Sequence, residues 1–375
     1  MAKLRRRILW SLLGVFVLAV AAFAIALSHE SPCEPGTALE AGTPGMKAVV
    51  RRCYGGPDVL TIEDIEKPEA KDGRVLVRVR AASVNPADWH FVRGVPYIIR
   101  IDFGFGAPKN PRVGIDFAGT VEAVGKGVTK FKPGDEVFGG ANGALAEYIT
   151  IAENGNLTLK PPGISFEQAA AVNVAGLTAL QTLRDRAGVK PGQKVLINGA
   201  SGGVGTFAVQ VAKWLGAEVT AVCSTRNVEL VRALGADRVI DYTREDFTAA
   251  EQAYDVVMDN VANRGVLEVR RTLKPEGKLI LIGGGGPDAS PWFGAFKAPI
   301  AALIVSWFVD EDLAMFISHS SGEDLAILAG LMQDGVIRPV IDRTYPFAET
   351  AEAMRYLESG RARGKVIVTM KPAAP

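Results

Sequence analysis

The sequence has little cysteine, little histidine and no excess of either charge. Cys33, Cys53 and Cys223 are too few and too scattered for a disulfide framework. Three histidines (His29, His90, His319), with no C-x-x-C or H-E-x-x-H spacing, can hardly supply the three or four ligands of a zinc site, so no metal is expected. Lys and Arg number 42 against 41 Asp and Glu, and residues 46–375 hold 38 of each sign. A neutral body without a basic stripe argues against nucleic acid as partner. No internal repeat or low-complexity tract is present. With 48% apolar and 22% charged residues, the 375-residue chain is globular, which excludes wholesale disorder, collagen and coiled coil. The length allows two domains of ordinary size. Glycine is plentiful at 41 residues, suggesting tight turns and backbone-lined sites.

The N-terminus carries a membrane signal. Lys3, Arg5, Arg6 and Arg7 precede an apolar run, Ile8–Leu27, broken only by Ser11 and Gly14. At ~1.5 Å per residue such a helix is about 30 Å long, the thickness of a bilayer core. The run exceeds the usual apolar core of a cleaved secretory signal, about 7–15 residues, although Ala24-Ile25-Ala26 offers a small-residue cleavage site. A retained single-pass anchor is the expectation, with cleavage the alternative. The basic cluster favours a cytoplasmic N-terminus and a body across the membrane.

Residues 28–45 read as a linker, and the body begins near Met46. From 47 to about 160 the signals are short strands and turns, such as Val75–Arg80, Gly119–Val124 and KPGDEVFG (132–139). From 168 the pattern alternates between apolar strands (Val195–Asn198, Val219–Cys223, Asp255–Asp259, Lys278–Ile282) and helical stretches. This implies a doubly wound parallel sheet. A helix is expected at 323–333 and a last strand at Lys365–Thr369. The apolar segment Phe293–Phe308 is expected to be core or dimer edge in preference to a membrane patch. Cys53 and Cys223 read as small buried apolar residues.

The turn INGASGGVG (197–205) lies between a strand and a helix. Glycines there allow a sharp turn, close approach of a pyrophosphate, and tight helix–strand packing. The phosphates would meet the helix N-terminus near Gly203. Against G-x-G-x-x-G, the first position is Ala200, followed by Gly202 and Gly205; Ser201, Gly203 and Val204 complete the cradle. NAD enzymes place an acid at the end of the second strand. Here the residues are Ser224, Thr225 and Arg226, which suit a 2′-phosphate. NADPH is the expected cofactor, with NADH a second donor.

The set AASVNPADWHFVRG (81–94), PRVGIDFAGTVEAVG (111–125), FKPGDEVFG (131–139), AGLTAL (175–180), INGASGGVG, VCSTRN (222–227), VIDY (239–242) and GRARGKVIV (360–368) resembles the medium-chain dehydrogenase/reductase superfamily. It is most similar to the zinc-independent, zeta-crystallin-like quinone oxidoreductase branch. The resemblance covers nearly all of 46–375. It implies an α/β fold: a GroES-like β-rich catalytic domain with an inserted Rossmann domain, here preceded by a transmembrane helix. The expected division is a basic N-terminus (1–7), span (8–27), linker (28–45), catalytic domain (46–167), Rossmann NADP-binding domain (168–312), and a C-terminal segment (313–375) completing the catalytic domain. Zinc-dependent relatives carry Cys near position 83 and His-Glu where this chain has Ile115-Asp116, so no zinc is expected.

The resemblance implies hydride transfer from NADPH to a quinone or an α,β-unsaturated carbonyl, an acceptor electrophilic enough to need only positioning and a hydrogen bond. On the catalytic side it implicates Asn85 (orienting), His90 (proton donor), Tyr97 (facing the acceptor) and Arg363 (closing the site), with Asp88 mainly structural. On the cofactor side it implicates Thr178, the turn 200–205, Ser224–Arg226, Tyr242 beside the 2′-phosphate, Asn260, Val261, Gly283 and Gly284 at the nicotinamide, and Lys365. Relatives suggest a homodimer. A non-catalytic, membrane-associated interaction protein that keeps nucleotide binding is the alternative function. The compartment of the body stays open, since NADPH is abundant in the cytosol.

Overall fold

The computed structural model describes residues 2–286 and 288–370. The basic first turn and the apolar run form one continuous helix, Ala2–Ser28. Its stretch Ile8–Ser28 has a mean hydropathy of 2.6, long and apolar enough to cross a membrane. Leu27, at its end, is buried against the body.

Residues 28–45 are not a free linker. Cys33 is disulfide-bonded to Cys53, with Cα atoms 4.8 Å apart. This corrects the reading of Cys53 as a plain buried apolar residue; Cys223 is free and buried. Arg100, fully buried, donates to the Leu27 carbonyl (3.1 Å) and the His29 carbonyl (3.0 Å) and pairs with Glu30 (2.8 Å). The last carbonyls of a helix have no partner within it, and a cation there also complements the helix dipole. Arg100 therefore caps the N-terminal helix from the body, its guanidinium lying over the Tyr54 and Tyr97 rings.

Among the described residues the body contains three sheets. β1 (Gly45–Arg51) pairs antiparallel with β2 (Leu60–Glu66). A seven-stranded sheet combines β3 (Arg74–Val84), β4 (Asp116–Val124), β5 (Glu136–Gly140), β6 (Tyr148–Ala152) and β7 (Leu157–Leu159) with two strands from the far end of the chain. These are β14 (Ile341–Pro346) and β15 (Lys365–Thr369), and β15 pairs antiparallel with β3. The third sheet is wholly parallel: β8 (Lys194–Asn198), β9 (Glu218–Cys223), β10 (Arg238–Asp241), β11 (Tyr254–Asp259), β12 (Leu273–Leu281) and β13 (Asp312–Met315). Its order is β10-β9-β8-β11-β12-β13. The sheet thus runs past residue 312, where the Rossmann region was expected to stop.

Strands buried on both faces need apolar side chains throughout, and Val195, Leu196 and Ile197 are wholly inaccessible. The strand order reverses between β8 and β11, which opens a crevice beyond their carboxyl ends. Helix Gly203–Trp214 leaves β8 there and buries Phe207, Val209 and Val211.

Segment 293–308, expected to be core or dimer edge, packs one face on the sheet and leaves the other exposed. Helix Lys297–Val305 rests Ala298, Ala301, Ala302 and Val305 on the sheet. Its large residues, Leu303 and Ile304, point outward, and Trp307 and Phe308 beyond them are about 80% exposed (80% and 81%).

Candidate active site

The glycine turn sits at the crevice. Gly199 takes the left-handed backbone (φ 75°) that turns the chain out of β8. This explains why Ala is tolerated at the next position: Ala200 is buried and its N–H donates to Val222 O in β9 (3.0 Å). At Gly205 any Cβ would collide with the Gly199 carbonyl and lie 2.7 Å from Ala200 Cα. Ser201, Gly202, Gly203 and Val204 are partly exposed at the helix start. The turn thus leaves free backbone N–H groups at a helix N-terminus, a cradle that suits a pyrophosphate.

The other cofactor-side residues gather along the same edge. Ser224 is partly exposed, Thr225 and Arg226 are exposed just after β9, and the Tyr242 N–H donates to Cys223 O (3.1 Å), setting a half-exposed ring beside them. Arg226 donates to the Arg361 carbonyl (2.7 Å). The acid in this region, Asp241, has its oxygens engaged by Thr225 (2.6 Å) and Thr243 (2.8 Å). Asn260 donates to Asn198 O (2.8 Å), while its buried Oδ1 has no partner among the described residues. Val261 lies over Gly199, and Gly283 and Gly284 are partly exposed after β12, Gly283 against Asn260 O. An unpaired acceptor beside a glycine-lined wall suits an amide-bearing ring. The Thr178 hydroxyl is tied to Val174 O (2.7 Å) and Ser318 Oγ (2.9 Å).

The opposite wall is a buried polar network. Lys365 is 3% exposed and its Nζ lies 3.1 Å from Asp116 Oδ2 and against Asn85 Oδ1. Asp116 also accepts from Ser83 Oγ (2.8 Å), Asn85 Nδ2 (3.0 Å), Asn173 Nδ2 (2.8 Å) and Val174 N (3.1 Å). A buried ion pair persists only with such additional hydrogen bonds. Both ends of the Asn85 amide are therefore committed inside the network. Asp88 accepts from Asn85 N (2.8 Å) as a helix-capping carboxyl. Burial, reinforced by Asp116, pushes its pKa up to about 7. The stem of Lys365 passes over the phosphate turn, 3.2 Å from where a Gly203 Cβ would stand, and the Gly364 N–H donates to Ser201 O (2.9 Å). The C-terminal strand thus closes on the glycine turn.

Two expected residues are placed differently. His90 was expected as a proton donor. Its Nδ1 bonds the Val95 carbonyl (2.9 Å), which requires the proton on Nδ1, and burial lowers its pKa. Burial thus favours the neutral ring, with its Nδ1 proton committed to that carbonyl. Arg363 is half-exposed and turned to Asp342, its Nε 3.5 Å from Oδ1 and its N–H donating to Oδ2 (2.9 Å). Tyr97 packs edge-on against Trp292 (4.9 Å between centroids) and donates its N–H to Pro291 O (2.8 Å). Its hydroxyl has no hydrogen-bond partner among the described residues.

Sequence reasoning missed Asp116, Ser83, Asn173 and Ser318 as site residues. A signal existed for the first two. The comparison with zinc-dependent relatives singles out both positions, and here Ser83 Oγ donates to Asp116 (2.8 Å), which in turn pairs with the Lys365 ammonium (3.1 Å). Among the described residues no three of His, Cys, Asp and Glu gather in a metal-binding group.

The sequence model of the family described as "Zinc-binding dehydrogenase" matches residues 234–368, and that of "Alcohol dehydrogenase GroES-like domain" matches 71–162. A 2-methylene-furan-3-one reductase of Solanum lycopersicum is 35% identical over 338 residues, 86% of this chain and 79% of that protein. A chloroplast envelope quinone oxidoreductase homolog of Arabidopsis thaliana is 34% identical over 343 residues, 86% of this chain and 98% of that protein. The solved quinone oxidoreductase of Coxiella burnetii superposes with a TM-score of 0.75 at 29% identity, covering 87% of this chain and all (100%) of that one. An α/β fold with a GroES-like domain, a parallel Rossmann sheet and a glycine turn at its switch point defines a nicotinamide-dependent oxidoreductase. The chain belongs to the medium-chain dehydrogenase/reductase superfamily, among its quinone oxidoreductase-like reductases.

Proposed function

We propose that the protein is a zinc-independent, NADPH-dependent reductase, held at a membrane by its N-terminal helix, that delivers hydride to a quinone or an α,β-unsaturated carbonyl. The observation that carries this reading is the glycine turn at the switch point facing the Lys365–Asp116–Asn85 network. The relatives named as quinone, enone-type and enoyl reductases support the acceptor class. The pairing of Lys365 with Asp116 supports the zinc-independent reading, because an ammonium already neutralises that buried carboxylate.

The turn at 199–205 and the helix start at Gly203 hold the pyrophosphate. Ser224, Arg226 and Tyr242 take the 2′-phosphate, while Asn260, Val261, Gly283 and Gly284 bound the nicotinamide end, with Thr178 alongside. The cofactor, when bound, supplies the hydride. Lys365, Asp116 and Asn85 act as positioning residues that fix the facing wall. Tyr97, with its uncommitted hydroxyl, donates a hydrogen bond to the acceptor oxygen on which negative charge develops.

The cluster Lys3–Arg7 favours a body on the non-cytoplasmic side, and the Cys33–Cys53 disulfide supports the same side, since such bonds persist in oxidising compartments. The test is anaerobic oxidation of NADPH and NADH by the full chain in detergent, against ortho-quinones, para-quinones and enones. Turnover preferring NADPH is expected. NADPH binding without turnover across the panel, or activity that tracks added zinc, overturns the reading.

A further inference from the structure

Helix 297–308 has its amphipathicity inverted. Small residues at 298, 301, 302 and 305, the i, i+3, i+4, i+7 spacing of one face, pack on the sheet. Ile300, Leu303, Ile304, Trp307 and Phe308 point away from it, and Phe293 is exposed just before. From Ala289 to Val309 the single charged residue is Lys297. The acids that follow are partly neutralised: Glu311 pairs with Arg270 (2.9 Å) and Asp312 with Arg186 (2.6 Å). The apolar stretch Gly294–Phe308 is too short to span a bilayer.

Its surroundings indicate what covers it. The body is fixed to the end of the N-terminal helix by Arg100 and by the Cys33–Cys53 bond. Phe105 of the body packs edge-on against Phe23 of that helix, 6.5 Å between centroids. Phe23 lies five residues before the end of the helix at Ser28, about 8 Å along its axis. If that helix spans the membrane, Phe105 sits at headgroup or upper acyl depth. From there contact is continuous: Arg100 against Tyr97, Tyr97 against Pro291 and Trp292, and then the apolar segment itself. A second copy of the chain has no such link to the anchor.

We propose that the outward face of helix 297–308, with Phe293, lies in the interfacial layer of the same bilayer that the N-terminal helix enters. This rests on the anchored reading above. Tryptophan and long apolar side chains on a surface helix embed about 5–10 Å deep, and Lys297 can reach the headgroups. The segment follows Gly283 and Gly284, and Pro291 and Trp292 just before it touch Tyr97, so the rim of the acceptor cleft lies beside lipid. The acceptor class this favours is a lipophilic quinone or enone dissolved in the bilayer.

The test places the full chain, with Trp307→Phe and Trp10→Phe variants, in phosphatidylcholine/phosphatidylglycerol vesicles containing lipids brominated at shallow chain positions. Trp307 is mostly exposed and its replacement leaves the fold intact. Quenching of tryptophan emission by the brominated chains is expected in the parent chain, with one component lost in Trp307→Phe and another in Trp10→Phe. Loss only in Trp10→Phe keeps the anchor and overturns the interfacial face. Loss in neither overturns both. Oxidative cross-linking of Leu303→Cys into dimers within the vesicles assigns the face to a second copy and also overturns the proposal.

Discussion

Replacing Lys365 by Met tests the site at its centre. The substitution keeps the length of the stem over Gly203 and removes the ammonium. At 3.1 Å and an effective dielectric of about 20, the attraction between Lys365 and Asp116 is worth about 5 kcal/mol before desolvation. Removing one partner of a buried pair strands the other charge and costs about 3–5 kcal/mol. Asp116 is wholly buried, and its remaining partners are neutral donors that offset only part of the loss. Lys365→Met should therefore unfold in denaturant with a stability about 3–5 kcal/mol below the parent. Lys365→Met/Asp116→Asn leaves no orphan charge and should recover at least about 1 kcal/mol of that. Both follow from denaturant titration of the full chain in detergent, read by tryptophan emission. A single variant within about 1 kcal/mol of the parent, or a double variant that loses the sum of the two single losses, refutes the network as described.

Other outcomes follow from the same geometry. Asp88 keeps its proton in the fold up to about pH 7, whereas the unfolded group loses it near its ordinary value. The parent should therefore lose about 1.4 kcal/mol of stability per pH unit from about 4 to 7 through this group, and Asp88→Asn should flatten that slope in denaturant titrations. Parallel slopes would exclude a protonated Asp88. Gly205→Ala pushes a methyl into the Gly199 carbonyl, so NADPH affinity, read by fluorescence titration, should fall at least about tenfold, or 1.4 kcal/mol. Arg226→Ala should weaken NADPH by about tenfold or more, as expected for a lost charge-assisted contact, and NADH far less; equal losses would remove its 2′-phosphate role. Cys33→Ser frees the linker, so proteolysis between residues 30 and 44 should become faster while NADPH turnover persists. Unchanged cleavage would mean that the noncovalent ties, Arg100 to Glu30 and Ser31 N–H to Gly106 O, hold the segment.

The sequence determined what depends on near neighbours along the chain. The run Ile8–Leu27 dictates an apolar helix because each added residue extends one ladder of hydrogen bonds within the segment. The alternation of apolar strands and helical stretches from 194 to 281 dictates a parallel sheet, and INGASGGVG dictates the turn, because only glycine tolerates the backbone at Gly199 and the close approach at Gly205. Other features depended on which distant segments meet, and no local pattern carries that. The tertiary structure decided that Lys365 crosses 249 positions to Asp116, so that a residue expected on the cofactor side also pairs with a buried carboxylate of the facing wall. It turned His90 Nδ1 to the Val95 carbonyl. It joined Cys33 to Cys53 and brought Arg100 under the last carbonyls of a helix more than 70 residues earlier. It also set helix 297–308 with small residues inward and large ones outward. A nearly uniform apolar composition specifies burial of some face but not which one, so that choice fell to the shape of the sheet beneath it.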